Sequence, residues 1–308
     1  SYFEDPEFKE ALEKYEGMVK NHTPAYFDAD ELTDIAEYYA SKGRQIEAEA
    51  AIDFALKLHP NDTDALIFRA RSLAMKGRLD EAYMVMDLIE DRSDREVRFL
   101  KADLLMEEKR MEEADHVFEE LAAYEEGKLE TLIDIILAYI DANQEALAKK
   151  WIKHVGETYD LASLSQKNQK FRDLLCDFYI TFNNPEAAIP LLQATLDCYP
   201  YSINHWNSLG KCYLSTNDYE EAHEAIDFAL AIDDSNAEAL TLKAFCYQQS
   251  GELQKSCDYY LRLAEQQENK TRAYLALAKT YFEMQDYTSS IYYIEALLDN
   301  KDALSKYE

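Results

Sequence analysis

The most regular apolar pattern of the chain lies between residues 203 and 216. Trp206, Leu209, Gly210 and Tyr213 recur at spacings of three and four residues, with polar positions between them. Side chains at i, i+3, i+4 and i+7 lie on one face of an α-helix. The pattern therefore predicts an amphipathic helix with one buried stripe.

A second stripe follows after a polar turn. Ala222, Ile226 and Ala229 also have helical spacing, and Asn217-Asp218 lies between the two stripes. Asn and Asp are typical of turns and helix N-caps. The sequence therefore predicts an antiparallel helical hairpin. Such a hairpin leaves one apolar side unburied, which is why units of this kind occur in arrays.

The same pattern repeats along most of the chain. Units begin near residues 29, 63, 95, 129, 169, 203, 237 and 271, at intervals of 34 residues apart from one of 32 and one of 40. We expect eight units over 29–304, an N-terminal capping helix or partial repeat over 1–28, and a short tail over 305–308. The long interval places extra residues near 156–168, where we expect the array to bend.

These motifs carry a family resemblance. Residues 206–213 read Trp-x-x-Leu-Gly-x-x-Tyr and residues 222–226 read Ala-x-x-x-Ile, which resembles the signature of the tetratricopeptide repeat (TPR) family. The resemblance implies an all-α solenoid of antiparallel helix pairs, wound as a right-handed superhelix. It also implies that the first helices line a concave groove, with positions 2, 5, 9, 12 and 13 of each first helix facing a ligand.

Charge and composition limit the classes of function. The 308 residues include 32 Lys and Arg against 61 Asp and Glu, a formal charge of −29. This charge repels phosphate backbones and anionic lipid surfaces, so we expect neither nucleic acid nor membrane as a partner. Only seven Gly and six Pro occur, which favours helices over folds rich in turns or Gly-rich phosphate loops.

The cysteines and the other chemical groups form no recognisable site. Five cysteines without a C-x-x-C motif indicate reduced thiols and a cytoplasmic protein; because the chain does not begin with Met, a removed leader stays an alternative. The histidines and glycines show no zinc, dinucleotide or P-loop spacing. We therefore predict no catalytic residue, no metal and no cofactor. An accessory domain of an enzyme is the least favoured interpretation.

The positions that the family uses for ligands differ in character along the chain. In the last three units they provide amides, cations and aromatic rings, and we predict that they hold the backbone and a carboxylate of an extended peptide. In the first four units they are acidic with apolar interruptions and are expected to attract a basic segment. The late positions are Asn204, Asn207, Lys211, Phe245, Gln248, Arg272, Lys279 and Phe282. The early positions are Asp30, Glu37, Asp64, Asp103 and Glu107.

The carboxylate clamp of the chaperone-binding members of this family is absent. Leu242 stands where the clamp has an Asn, and Ala276 follows Arg272 where a second polar contact is expected. We therefore do not predict a chaperone tail as the partner.

The last helix is apolar on several faces and has no further unit after it in this sequence. Ile291, Tyr292 and Leu298 are a candidate docking face for a partner or for a second copy in a homodimer. The sequence thus predicts a non-catalytic scaffold that binds a protein or peptide in a concave groove. The alternative is a regulatory or assembly subunit that docks through the last helix.

Overall fold

The chain folds entirely into helices in the part that can be described. The computed structural model describes residue 3 and residues 5–22, 24–266 and 270–299, so the predicted tail and the end of the eighth unit lie outside the described residues. These ranges contain helices and no strand. The predicted all-α class of antiparallel helix pairs is therefore confirmed.

Contacts divide the chain into a first unit, residues 1–138, and a second unit, residues 139–308. The boundary falls inside α8, which spans Leu129–Asp141. The helices before it are α1 (Pro6–Asn21), α2 (Ala29–Ser41), α3 (Gln45–Leu58), α4 (Thr63–Met75), α5 (Leu79–Met86), α6 (Arg95–Glu107) and α7 (Met111–Tyr124).

The second unit also consists of consecutive helices, and one of them, α10 (Leu161–Lys167), is short. Its helices are α9 (Glu145–Thr158), α10 (Leu161–Lys167), α11 (Gln169–Thr181), α12 (Pro185–Cys198), α13 (Ile203–Thr216), α14 (Tyr219–Ile232), α15 (Ala237–Gln249), α16 (Leu253–Ala264), α17 (Lys270–Glu283) and α18 (Tyr287–Asp299).

One backbone turn recurs at the same place in the helix pairs. The first helix ends in a residue with positive φ, and the next N–H donates to a carbonyl five residues back, as from Asp218 to Tyr213 (2.9 Å) and from Arg44 to Tyr39 (2.8 Å). This bond belongs to the Schellman motif, which satisfies the last carbonyls of a helix. The positive-φ residues at this turn are Gly43, Gly77, Lys109, Asn143, Asn183, Asn217, Gly251 and Gln285.

Asp or Asn is the N-cap residue of several first helices. Asp62 Oδ1 accepts from the N–H of Ala65 (2.9 Å), and Asn236 Oδ1 accepts from the N–H of Ala239 (2.9 Å). An accepting oxygen at the N-cap satisfies a backbone donor that has no partner within the helix. Part of the acidity of the chain thus serves to define where helices start.

The extra residues of the long repeat form α10, and a buried arginine ties this helix to the next pair. Arg172 is 4% exposed. Its Nη1 donates to the carbonyls of Ser165 and Gln166 (3.1 Å each), and its Nε donates to Thr195 Oγ1 (2.7 Å). The charge therefore lies at the carboxyl end of α10, where the helix dipole favours a cation. The bend expected at 156–168 stays a prediction.

The helices α13 and α14 approach closely because Gly210 has no side chain. A Cβ at this position would lie 2.7 Å from Ile226 Cγ1, and Ala222 O is only 3.8 Å away. We expect Gly210→Ala to destabilise the second unit by about 1–3 kcal/mol, because overpacking forces the neighbouring side chain to move. Urea unfolding followed by circular dichroism measures the loss.

Gly17→Ala is the matched control. Gly17 lies inside α1, and a Cβ there meets nothing within 4 Å, so the substitution should stabilise the protein by about 0.5–1 kcal/mol through helix propensity. If G210A is as well tolerated as G17A, the close approach of α13 and α14 does not require glycine. Adding Ile226→Ala to G210A should cost less than the sum of the two single changes.

Candidate binding grooves

A groove of about 870 Å³ lies in the first unit, between the first helices of neighbouring pairs. The predicted acidic residues Asp30 and Glu37 reach it from α2, and Asp64 reaches it from α4. Asp34 and Glu96 add two further carboxylates to the lining. The structure thus brings together three of the five early positions.

Among the described residues that line this groove, Arg71 is the only cation. Its guanidinium lies 3.5 Å from Glu96 and 3.5 Å from Asp103, and all three side chains are about two-fifths exposed. Through Arg71, the fourth early position, Asp103, joins the edge of the groove. Glu107, the fifth, lies exposed at the end of α6. The lining therefore stays strongly acidic after its internal ion pairs are formed.

We name this set the acidic groove, defined by Asp30, Asp34, Glu37, Asp64, Arg71, Glu96 and Asp103. Three of its carboxylates, Glu37, Asp64 and Asp103, are harder to ionise than free ones. Burial, followed by repulsion from Asp34 and Asp64, raises the pKa of Glu37. Burial, followed by repulsion from nearby carboxylates including Asp30, raises the pKa of Asp64. Burial raises the pKa of Asp103 to about 6, although Arg71 opposes the shift. Each raised pKa is a free-energy cost of holding negative charge here at neutral pH.

The late positions lie on α13, α15 and α17 of the second unit, and part of their chemistry is already engaged. Asn207 is 1% exposed, and its amide donates to Asn236 Oδ1 and Glu238 Oε2 (3.1 Å each). Lys211 forms an ion pair with Glu238. Gln248 Nε2 donates to Glu283 Oε2 (2.7 Å). These three side chains therefore hold neighbouring first helices together.

The remaining late positions are open to solvent. Asn204, Arg272 and Lys279 are exposed, and the described residues provide no ion pair to either cation. Phe245 is 41% exposed, and Phe282 is 62% exposed with its ring 5.6 Å from that of Tyr287. Their role as a peptide site stays a prediction.

The candidate docking face on α18 is exposed as the sequence pattern suggested. Ile291, Tyr292 and Leu298 are each more than half exposed. Nothing among the described residues covers these three apolar side chains, and their role likewise stays a prediction.

Two carboxylates of the acidic groove were missed by the sequence analysis. Glu96 occupies position 2 of the first helix of the third unit, which is one of the ligand positions that the family resemblance indicates. Asp34 stands at position 6 and lies outside the positions that the family resemblance indicated, yet Asp30, Asp34 and Glu37 have the i, i+4, i+7 spacing of one helix face. Within the described ranges, no group of three or more His, Cys, Asp or Glu side chains is arranged to hold a metal ion.

Sequence comparison identifies the family. Two sequence models described as tetratricopeptide repeat match the chain, one at residues 33–83, 179–237 and 207–270 and the other at residues 271–302. These ranges hold more than half of the chain. The chain belongs to the tetratricopeptide repeat family. The resemblance found in the sequence is thus confirmed.

Individual TPR relatives are distant. The formate-dependent nitrite reductase complex subunit NrfG of Escherichia coli O157:H7 is 26% identical over 178 residues, which are 56% of this chain and 83% of NrfG. A TPR protein of known structure from Parabacteroides merdae ATCC 43184 has a TM-score of 0.51 at 16% identity, covering 82% of this chain and 98% of that one. A structure of MamA has a TM-score of 0.47 at 19% identity, covering 56% and 97%. At these identities the structural similarities show the fold alone.

The hydropathy of the helices bears on membrane insertion. None of the helices in the described ranges combines the length and the apolar character needed to cross a bilayer.

The acidic groove predicts a pH-dependent response to loss of Arg71. We expect Arg71→Gln to lower the melting temperature of the first unit by about 2–4 °C at pH 7, and by less at pH 5. Burial raises the pKa of Asp103 to about 6. Above this pH the Asp103 carboxylate is charged and repels Glu96; as pH falls to 5, protonation of Asp103 removes that repulsion. Thermal unfolding followed by circular dichroism at the two pH values measures the difference.

Arg44→Gln is the control for that experiment. Arg44 pairs with Glu47 on the surface (3.0 Å), and the pKa of Glu47 is lowered by a backbone hydrogen bond and by Arg44. Its carboxylate stays ionised at both pH values, so R44Q should have the same small effect at pH 7 and pH 5. If R71Q lowers the melting temperature equally at pH 7 and pH 5, repulsion among the groove carboxylates does not destabilise the first unit.

Proposed function

We propose that this TPR protein is a non-catalytic scaffold that binds a basic segment of a partner protein in the acidic groove. The observation that carries this proposal is the charge of the lining, with five carboxylates and one guanidinium around about 870 Å³. Carboxylates bind Lys and Arg side chains through charge-assisted hydrogen bonds. The groove also coincides with first-helix positions 2, 5 and 9, at which the family resemblance implies a ligand.

The raised pKa values indicate why a cation would bind. At neutral pH, Glu37 and Asp64 are ionised in surroundings that disfavour their charge. A bound ammonium or guanidinium group stabilises the ionised form and relieves the mutual repulsion, so part of the electrostatic cost becomes binding free energy. The overall charge of −29 adds long-range attraction, which raises association rates and makes them fall with added salt.

A role within an assembly is supported by the relative NrfG. By its name, NrfG is a subunit of a formate-dependent nitrite reductase complex. This supports the proposal that the present chain acts by binding other proteins. The reaction named for that complex is not transferred to this chain.

The late positions are a second candidate, for an acidic peptide. Arg272 and Lys279 are exposed and have no ion pair within the described residues, which favours an anionic ligand. However, Lys211 is already paired with Glu238, and Asn207 is buried between two acceptors. Because the chain itself supplies these partners, we place this site after the acidic groove.

The alternative of a regulatory or assembly subunit rests on α18. Three apolar side chains of this helix, Ile291, Tyr292 and Leu298, are more than half exposed. Burying them against a partner or in a homodimer would release about 25 cal/mol per Å² of apolar surface. This docking mode is compatible with ligand binding in the acidic groove.

We also propose a cytoplasmic location. All five cysteines are free, and four of them are buried. Cys212 and Cys246 occupy equivalent places in neighbouring pairs, and burial raises the pKa of each thiol to about 11. They behave as small apolar core residues, and free thiols are usual in a reducing compartment.

A charge-removal experiment tests the acidic groove. The probe is a fluorescein-labelled peptide of four Lys-Ala units, and fluorescence anisotropy measures its binding. The double variant Glu37→Gln/Asp64→Asn removes one charge from α2 and one from α4. It should weaken binding about 5–10-fold at low salt, because each lost ion pair contributes up to about 1 kcal/mol. Affinity should also fall from pH 7 to pH 5, because burial raises the pKa of Asp103 to about 6 and its protonated carboxyl no longer attracts a cation.

The matched control removes one Asp and one Glu outside the groove. Asp80 and Glu112 are exposed in the first turns of α5 and α7, and D80N/E112Q changes the net charge by the same amount. It should alter the probe affinity less than about twofold. Equal losses for the two double variants would mean that the peptide responds to total charge and would refute a site in the groove.

A further inference from the structure

A second concave site lies in the second unit, on helices that the acidic groove does not use. It encloses about 490 Å³. Its walls are the second helices of two neighbouring pairs, with Leu196 on α12 and Phe228 on α14. Its floor is α13, which provides Trp206, Leu209 and Tyr213. We name it the aromatic crevice.

The centre of the aromatic crevice presents carbon surface because the polar atoms of Trp206 and Tyr213 already have partners. Trp206 Nε1 donates to the carbonyl of Pro200 (2.8 Å), and Tyr213 Oη accepts from Gln193 Nε2 (2.9 Å). The Trp206 and Phe228 rings stack with centroids 4.5 Å apart and planes at 19°. Phe228 nevertheless remains 55% exposed. A stacked ring pair with one exposed face offers a rigid apolar contact that costs little conformational entropy to use.

Carboxylates surround this apolar surface. Asp197 belongs to the α12 side of the crevice, and Glu221 and Glu224 belong to the α14 side. All three are exposed, and no Lys, Arg or His of the described residues pairs with any of them. An apolar pocket with an unpaired acidic rim is complementary to an apolar side chain that has cations beside it.

The charge of the rim also argues against other occupants. A second copy of this chain would bring its own excess of 61 acidic over 32 basic residues against three carboxylates, which is repulsive. An anionic ligand meets the same barrier. A neutral apolar ligand would leave the three carboxylates without partners.

We propose that the aromatic crevice docks a segment of a partner protein that inserts an aliphatic side chain next to Phe228 and places Lys or Arg side chains against Asp197, Glu221 and Glu224. The cation nearest Phe228 also gains from the face of the ring. The crevice lies between the second helices α12 and α14 over α13, whereas the acidic groove is lined mainly by the first helices α2 and α4. The two sites therefore use different surfaces of the repeats, and this proposal does not depend on the proposed function of the groove.

Trp206 provides a local readout of binding. The protein has two tryptophans; Trp151 is 2% exposed, whereas Trp206 lines the crevice. Quenching by acrylamide therefore reports mainly on Trp206. The probe is the peptide acetyl-Lys-Arg-Leu-Leu-Lys-Arg-amide, and its counterpart has Glu at each cationic position. Both are tested in the full chain carrying E37Q/D64N, so that binding in the acidic groove is weakened.

We expect the basic probe to protect Trp206 from acrylamide and the acidic counterpart to leave quenching unchanged. Phe228→Ala should reduce the affinity at least about tenfold, as expected for an anchor residue. Glu221→Gln/Glu224→Gln should reduce it about 3–10-fold. Glu186→Gln/Glu220→Gln removes two exposed first-turn charges from the same two helices outside the crevice and should change it less than about twofold.

Three results would overturn the proposal. The first is equal protection by the basic and acidic peptides, which would indicate a purely apolar site. The second is an unchanged probe affinity in F228A. Far-ultraviolet circular dichroism of F228A and of the more conservative variant Phe228→Leu checks that the helices are intact. The third is a wild-type dimer in sedimentation that F228A converts to a monomer, which would identify a second copy as the occupant.

Discussion

The packing of one helix pair on the next is the interaction on which the rest of the structure depends. A pair buries one flank of each helix internally and leaves a second apolar flank, which water would cover in an isolated pair. One core cluster shows the solution: Leu240 of α15 and Leu263 of α16 pack in the same cluster as Leu277 of α17. Each such buried leucine contributes about 1.5–3 kcal/mol relative to an exposed one. Stability therefore accumulates between neighbours and not around a single centre.

This arrangement leaves the outward faces of the helices free to carry charge. Some carboxylates are used structurally, as when Asp62 caps α4 or Glu47 pairs with Arg44. In the acidic groove, by contrast, the carboxylates from α2 and α4 crowd one another, and Arg71 pairs instead with Glu96 and Asp103 of α6. A core held by neighbouring pairs tolerates this local repulsion, and a cationic partner relieves it. The electrostatic cost of the groove thus connects its stability to its proposed binding role.

The candidate sites were only partly predictable from sequence. Glu37 and Asp64 could be placed in one groove because repeat position determines the direction of a side chain on a first helix. The same rule placed Asn207 and Lys211 in a peptide site, but the structure shows both bonded to Glu238. That partner begins the next first helix, about one repeat later in the chain. Whether a groove side chain is free depends on how neighbouring helices align, and a period read from sequence does not report this alignment.

The sequence by itself determined the helix pairs, their period and the identity of the buried stripes, because spacings of three and four residues specify one face of a helix. The sequence indicated only some of the turns. Gly43 and Asn217 are residue types that favour a positive φ, whereas Lys109 and Gln285 adopt the same positive φ although their residue types do not favour it. The tertiary structure alone decided which polar groups remain unpaired and where Phe228 leaves a crevice between second helices. Both depend on the distances between residues of different pairs, which arise only when the pairs pack.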